Sequence, residues 1–476
     1  MKSGSHLNIL FTTPPLTLEK RYGSLSGGGS SSPSLGILML AAVARQQGFD
    51  CSVIDASALN LSEQELLHHI EKLSPDIIGI SSTTLAISNA NSLAVVVKRL
   101  FPEVVIIAGG PHVTAIPMDT MKLFPAFDIA VVGEGEATIA ELLPALQNGS
   151  DLTRVSGIIY RSDNDLIDTG HRPLITDLDS LPFPAWDLLE GFPERYLPAP
   201  FKVKNLPAAT LVTSRGCPNA CIFCDRSVFG SSCHAHSADY IVTQMVDLHK
   251  RYGIREFSFE DDTFITFKKR LIELCERLIS SKLDISWSCL GRVNHVSAEN
   301  LNLMRRAGCW QISFGIESGS QDVLNLVNKG MTLDQVRTAV RLSRDAGIKT
   351  KGFFIIGHPG ETAETLRLTR DFALELPLND ISVSLMTPFP GSELYDRAAE
   401  FGTFDANWEN MNLLNAVFVP HGLTRENLED AQKELIRQFY LRPRVVTDYT
   451  MRLMHRPSLL KSFWNGLRSL FRSLLK

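Results

Sequence analysis

Residues 209–226 read ATLVTSRGCPNACIFCDR. The stretch opens as a buried strand, Ala209–Thr213, and breaks at Gly216 into a loop carrying Cys217, Cys221 and Cys224. A compact loop with this spacing can offer one thiolate to each of three corners of a cubane iron–sulfur cluster. One iron is then left without a protein ligand, and an open position on a bound metal implies a substrate or cofactor there. Two other readings stand beside this one: a zinc site completed by Cys233, His234 or His236, and simple free thiols. Zinc ligands usually arrive as two close pairs, which this loop does not provide. Cys51, Cys275, Cys289 and Cys309 read as small buried residues.

Downstream, over residues 206–400, strand and helix alternate six times. The expected strands are Ala209–Thr213, Glu256–Phe259, Ser286–Leu290, Gln311–Gly315, Lys351–Ile356 and Asp380–Met386, with helices such as Arg270–Ser280 and Leu333–Ala346 between them. Six such units predict a partial (β/α)6 TIM-type barrel, whose chemistry belongs at the C-terminal strand ends. The unusual motifs fall there: Glu260-Asp261-Asp262, Arg292, Glu317-Ser318-Gly319, the run Gly357 to Glu361 including Gly360, and TPFPGS at 387–392.

Upstream, residues 1–146 alternate strands (Leu7–Thr12, Cys51–Asp55, Ile77–Ser81, Val104–Ala108, Ile129–Val132) with helices near 35–47, 63–72 and 89–100. A flexible Gly- and Ser-rich run, 23–32, interrupts them. This pattern predicts an α/β, doubly wound Rossmann-like domain, with ligands bound beyond the carboxyl ends of its strands. Thr13-Pro14-Pro15, Ser81-Ser82-Thr83-Thr84, Gly109-Gly110-Pro111-His112 and Gly133-Glu134-Gly135-Glu136 occupy those ends. Residues 147–205 read as a proline-rich connector. Residues 401–476 read as a helical C-terminal extension.

With 44% hydrophobic and 21% charged residues the chain is globular, and its net charge of −5 argues against a general nucleic-acid binder. The first residues carry no apolar leader and no apolar run is long enough to span a bilayer, so the expected location is cytoplasmic. After Pro457, apolar residues from Leu459 to Leu475 fall at helical spacing, with Lys461, Arg468, Arg472 and Lys476 between them. Such a basic amphipathic helix suits the inner membrane surface. Docking on the protein's own barrel or on a dimer partner is the competing reading.

The Cys-x3-Cys-x2-Cys loop, with aromatic Phe223 before its last cysteine, resembles the radical S-adenosylmethionine superfamily. The resemblance implies that Cys217, Cys221 and Cys224 ligate a 4Fe-4S cluster. The cofactor S-adenosylmethionine would chelate the open iron and be cleaved to a 5′-deoxyadenosyl radical, with an electron from flavodoxin or ferredoxin. It further implies that Glu260, Asp261 and Asp262 lie near the cofactor's amine, Glu317 and Ser318 near its methionine and ribose, and the Gly357–Gly360 loop near its adenine. The guanidinium of Arg292 suits the cofactor carboxylate, with a surface salt bridge as the other reading. The first domain resembles the cobalamin-binding domain of one branch, which includes cobalamin-dependent radical methyltransferases and the anaerobic magnesium-protoporphyrin monomethyl ester cyclase. Carried over, Thr13, Pro14, Ser81, Ser82, Thr83, Gly109, Gly110, Gly133, Glu134 and Gly135 would face cobalamin. The Asp-x-His-x-x-Gly motif that supplies a cobalt ligand elsewhere is missing, so His112 reads as a turn residue. The expected reaction is methylation of an unactivated carbon in a small-molecule, hydrophobic or lipid-like substrate. Alternatives are oxidative cyclisation or rearrangement, and a non-catalytic cobalamin or iron–sulfur sensor.

Overall fold

The computed structural model describes residues 7–163, 165–199 and 202–454. They form two compact units: 7–21, 31–163, 165–196 and 225–230 in the first; 22–30, 197–199, 202–224 and 231–454 in the second.

In the first unit five parallel strands, β1 (Asn8–Thr13), β2 (Asp50–Asp55), β3 (Ile77–Ser81), β4 (Val105–Gly109) and β5 (Ile129–Val131), stack in the order β2-β1-β3-β4-β5. The central strands are apolar on both faces, as in Ile77-Ile78-Gly79-Ile80, because helices cover the sheet on both sides. Helix Glu63–Leu73 starts at a capping box in which Ser62 and Glu65 satisfy each other's backbone. The strand order reverses between β1 and β3, and ligands of such sheets bind beyond the strand ends at this switch point.

Two further strands extend this sheet from within the stretch read as a connector. β6 (Ile158–Ser162) pairs antiparallel with β5, and β7 (Asp165–Asp168) pairs antiparallel with β6. β6 opens on the apolar run Ile158-Ile159-Tyr160, a strand signal overlooked within the proline-rich stretch, whereas β7 is four residues long, half of them acidic, and is defined by its pairing with β6.

In the second unit β8 (Ala208–Leu211) is followed by a short antiparallel pair, β9 (Ser214–Arg215) with β10 (His234–Ala235), and then β11 (Glu256–Phe259), β12 (Ser286–Gly291), β13 (Cys309–Glu317), β14 (Lys349–Ile356) and β15 (Asp380–Leu385). β8 and β11–β15 form one parallel sheet in the order β15-β14-β13-β12-β11-β8, a half-barrel. Its outer face is buried under helices: Phe259 stacks on Phe264 with centroids 4.6 Å apart, and Trp287 meets Phe259 edge-on at 5.5 Å. The edge of β15 is covered by helix Arg425–Tyr440, whose Gln432 Nε2 donates to the Val383 carbonyl at 2.8 Å. Within the Gly- and Ser-rich run, Gly23–Gly28 forms a 3₁₀ helix closed by a Gly29 N–H to Ser26 carbonyl bond. Among the described residues no helix is long and apolar enough to cross a membrane. The basic stretch 457–476 lies outside the described residues.

Candidate functional site

The cysteine loop is pinned at both ends and in the middle. The β9–β10 pair joins Arg215 to His234 and so closes its base. The Ile222 amide donates to the Val327 carbonyl (3.2 Å), Asn328 Nδ2 donates to the Ala220 carbonyl (3.0 Å), and the Leu394 amide donates to the Ile222 carbonyl (2.8 Å). Cys221 is buried, Cys224 is exposed, and a tight turn links their backbones at 3.2 Å. The Cys224 thiol donates to Cys221; that bond, followed by the charges of Lys329 and Arg292, pulls the Cys221 thiol well below its usual pKa. Asn219 Nδ2 reaches Cys217 Sγ at 3.1 Å. A positive environment around unbridged thiols suits an anionic, thiolate-bound cluster. Among the described residues no three His, Cys, Asp or Glu side chains could hold one ion together. That geometry gives the zinc reading no support; a cubane differs because each thiolate takes its own iron. The Cys233 thiol instead donates to the Gly216 carbonyl at 3.2 Å.

Behind the loop lies a buried layer. Glu317 sits in the left-handed region (φ 67°) at an irregularity in the β13–β14 register, and its Oε1 meets Lys329 Nζ at 2.5 Å. Lys329 also lies 5.8 Å from the Phe223 ring centre, and Phe223 meets the His358 ring edge-on at 5.7 Å. Arg292 donates to the Lys329 carbonyl, while its buried Nε has no hydrogen-bond partner. His358 is fully buried; burial pushes its pKa down to about 3, and neither ring nitrogen makes a well-formed hydrogen bond. Gly357 (φ 92°) and Gly360 (φ 71°) shape the adjoining turn, closed by Glu361 Oε2, which accepts from the Gly357 amide at 2.5 Å and the His358 amide at 3.0 Å.

The Glu260-Asp261-Asp262 motif divides. Asp261 is buried and its carboxylate accepts from Thr213 N (2.5 Å), Thr213 Oγ1 (2.6 Å) and Ser214 Oγ (2.7 Å), with Arg270 3.7 Å away. Its role is architectural: it fastens the end of β8 where the cysteine loop begins. Glu260 lies beside Lys202 (3.4 Å) and accepts from Ser258 (2.6 Å), and Asp262 accepts from the Gly216 amide. Ser318 is likewise committed internally, to Thr369 Oγ1 (3.1 Å) and the Ser320 amide (3.1 Å). These bonds hold Gly319 where a Cβ would lie 2.5 Å from the Leu368 carbonyl.

In the first unit the predicted residues gather at the ends of β1, β3, β4 and β5. Thr13 Oγ1 donates to Asp55 (2.8 Å), which also accepts the Ser34 amide (2.6 Å), so Thr13 and Pro14 are held in place by the protein. Gly110 (φ 98°) packs so closely on Ser82 that a Cβ would lie 2.6 Å from its carbonyl oxygen. A Cβ on Gly133 (φ 82°) would meet nothing within 4 Å, and the Gly133 amide donates to Thr114 Oγ1 at 3.1 Å. Thr83 is exposed, Ser81, Gly109 and Gly135 are half-buried, and Glu134 is engaged by the Ile175 amide (2.7 Å). His112 is buried with Nδ1 3.2 Å from Thr84 Oγ1, and burial lowers its pKa to about 4.

The family model described as "Radical SAM superfamily" matches residues 211–373, and that of the "B12 binding domain" matches residues 28–143. An uncharacterized methyltransferase of Pyrococcus horikoshii, PH0819, is 36% identical over 88% of this chain and 90% of its own length. The chain belongs to the radical SAM superfamily. It is an enzyme of the branch that carries a B12-binding domain, with a 4Fe-4S cluster, S-adenosylmethionine and cobalamin as its cofactors. The anaerobic magnesium-protoporphyrin IX monomethyl ester cyclase of Rubrivivax gelatinosus is 31% identical over 86% of this radical SAM chain and 74% of its own. The fold matches cobalamin-dependent OxsB, bound to aqua-cobalamin and S-adenosylmethionine, with a TM-score of 0.74 at 19% identity, over 96% of this chain and 72% of OxsB.

Sequence reasoning missed Lys329 and Arg270, whose partners are set by chain crossings rather than spacing. It also missed the polar inner face of the half-barrel. That signal was present as alternation: Ser258 in β11, Ser286 and Ser288 in β12, Ser382 and Ser384 in β15.

Proposed function

We propose that this radical SAM enzyme transfers a methyl group to an unactivated carbon, with Cys217, Cys221 and Cys224 as the cluster ligands. The observation that carries the reading is the placement of Lys329 and Arg292 beside Cys221, at the strand ends of a half-barrel. When bound, the cluster and S-adenosylmethionine supply a hydrogen-abstracting carbon radical, and cobalamin supplies the methyl group. The chain's residues do the rest. Lys329 and Arg292 favour the thiolate that iron requires. Arg292, with its unpartnered Nε, is suited to a carboxylate. Glu260 and Asp262 are the carboxylates of their motif placed to accept from an amine. Phe223 and the Gly357–Gly360 turn give an apolar wall and an approachable backbone for a nucleobase. In the first unit Thr13, Pro14, Ser81–Thr83, Gly109–Gly110 and Gly133–Gly135 line the crevice offered to cobalamin.

A second reading, oxidative cyclisation, is supported by the 31% identity to the cyclase. Anaerobic incubation of the reconstituted holoenzyme with methyl-deuterated S-adenosylmethionine and cell extract separates the readings. Methyl transfer gives a labelled product together with 5′-deoxyadenosine. Cyclisation gives 5′-deoxyadenosine with the label left in the released methionine and none in the product. Absence of 5′-deoxyadenosine overturns both and leaves a sensor.

A further inference from the structure

The face of the second unit's sheet away from its helices is rich in hydroxyls. In register across the strands, Thr210 faces Ser258, Ser258 faces Ser288, and Leu290 faces Ser313. Further along, Phe353 faces Ser382 and Ile355 faces Ser384. Thr210, Ser313, Ser382 and Ser384 are half-buried, and their side chains make no hydrogen bond within the described residues. Ser258 and Ser288 are bonded to each other (3.4 Å), and Ser258 to Glu260 (2.6 Å). The charges on this face are engaged by the protein: Lys202 lies 3.4 Å from Glu260, Lys351 lies 3.1 Å from Asp380, and Glu256 accepts from Ser286 Oγ and Trp310 Nε1. The groups left without a partner here are therefore neutral, these hydroxyls together with the buried side-chain amide of Gln311, which is in register with Ser288.

We propose that this face receives a water-soluble substrate whose reacting end carries hydroxyl or amide groups, bonded by Thr210, Ser313, Ser382 and Ser384. The inference rests on the methyl-transfer reading and replaces the lipid-like substrate expected from the sequence. A hydrocarbon in this place strips water from four hydroxyls and returns no hydrogen bond. A site built to bond a substrate's polar groups rejects an analogue lacking them by about 10⁴-fold.

The test runs the labelled incubation with extract of the organism that makes the enzyme, removes labelled S-adenosylmethionine and methionine by chromatography, and subtracts the label found without the enzyme. The remaining labelled product is partitioned between water and chloroform. Label in the aqueous phase is expected. Label confined to chloroform overturns the proposal while leaving methyl transfer standing. Absence of label from both phases removes methyl transfer, and this proposal with it. As a second arm, Ser382→Val and Ser384→Val are expected to raise the KM for the labelled product's precursor at least about 10-fold, with iron and cobalamin content unchanged. An unchanged KM in both variants overturns the proposal.

Discussion

Lys329 Nζ stands 2.5 Å from Glu317 Oε1, with both side chains more than nine-tenths out of water. The pair joins the end of β13 to the segment that also anchors the cysteine loop through Val327 and Asn328. Removing one partner strands a buried charge, which costs about 3–5 kcal/mol. Lys329→Met is therefore expected to lower unfolding free energy by about that much in denaturant melts. Adding Glu317→Gln should recover a large part of the loss, the mark of a coupled pair. Equal stability of Lys329→Met and the parent would show that the pair does not form.

The iron ligands are expected to be separable from their neighbour. Cys217→Ser, Cys221→Ser and Cys224→Ser should each lose most iron after anaerobic reconstitution, and Cys233→Ser should keep it. Iron loss in Cys233→Ser equal to the other three would restore the zinc-type arrangement.

Glu361 predicts a pH dependence. Burial pushes its carboxyl from the usual 4.5 up to about 8, although the Gly357 and His358 amides draw it partway back. The folded protein thus holds a proton that the unfolded chain has released between those values. The associated stability is complete below about pH 4.5 and is lost as pH rises through about 8. Glu361→Gln keeps an acceptor for both amides and removes the titration. Thermal melts from pH 5 to 9 should show a flatter stability profile for this variant, and identical slopes would refute the assignment.

Gly110→Ala places a methyl group 2.6 Å from the Ser82 carbonyl oxygen at a backbone φ of 98°. Strain of this kind costs about 1–3 kcal/mol. Cobalamin occupancy, read from the visible spectrum, is expected to fall in this variant, while iron content stays at the parent level.

The identity of the family was legible in the sequence because its decisive features are local. Three cysteines within eight residues remain together however the rest of the chain folds. Strand–helix alternation likewise reports two parallel sheets, since each strand carries its own apolar run. β6 carried its own signal in Ile158-Ile159-Tyr160, overlooked inside a stretch read as a connector, whereas β7 is short and half acidic and draws its definition from its partner β6.

Site chemistry divided along the same line. Asp261, adjacent in sequence to Glu260, turns inward to Thr213, Ser214 and Arg270, a fate decided by partners 47 or more residues upstream and by a helix downstream. Lys329 acquired its place beside Glu317 through the path of the chain after β13. The sequence by itself determined which cofactors this protein is built around, because a contiguous loop and two repeating patterns encode them. Only the tertiary structure decided which polar groups are consumed by the protein and which stay open to a ligand, because a hydrogen bond between distant segments exists only once the chain has brought them together.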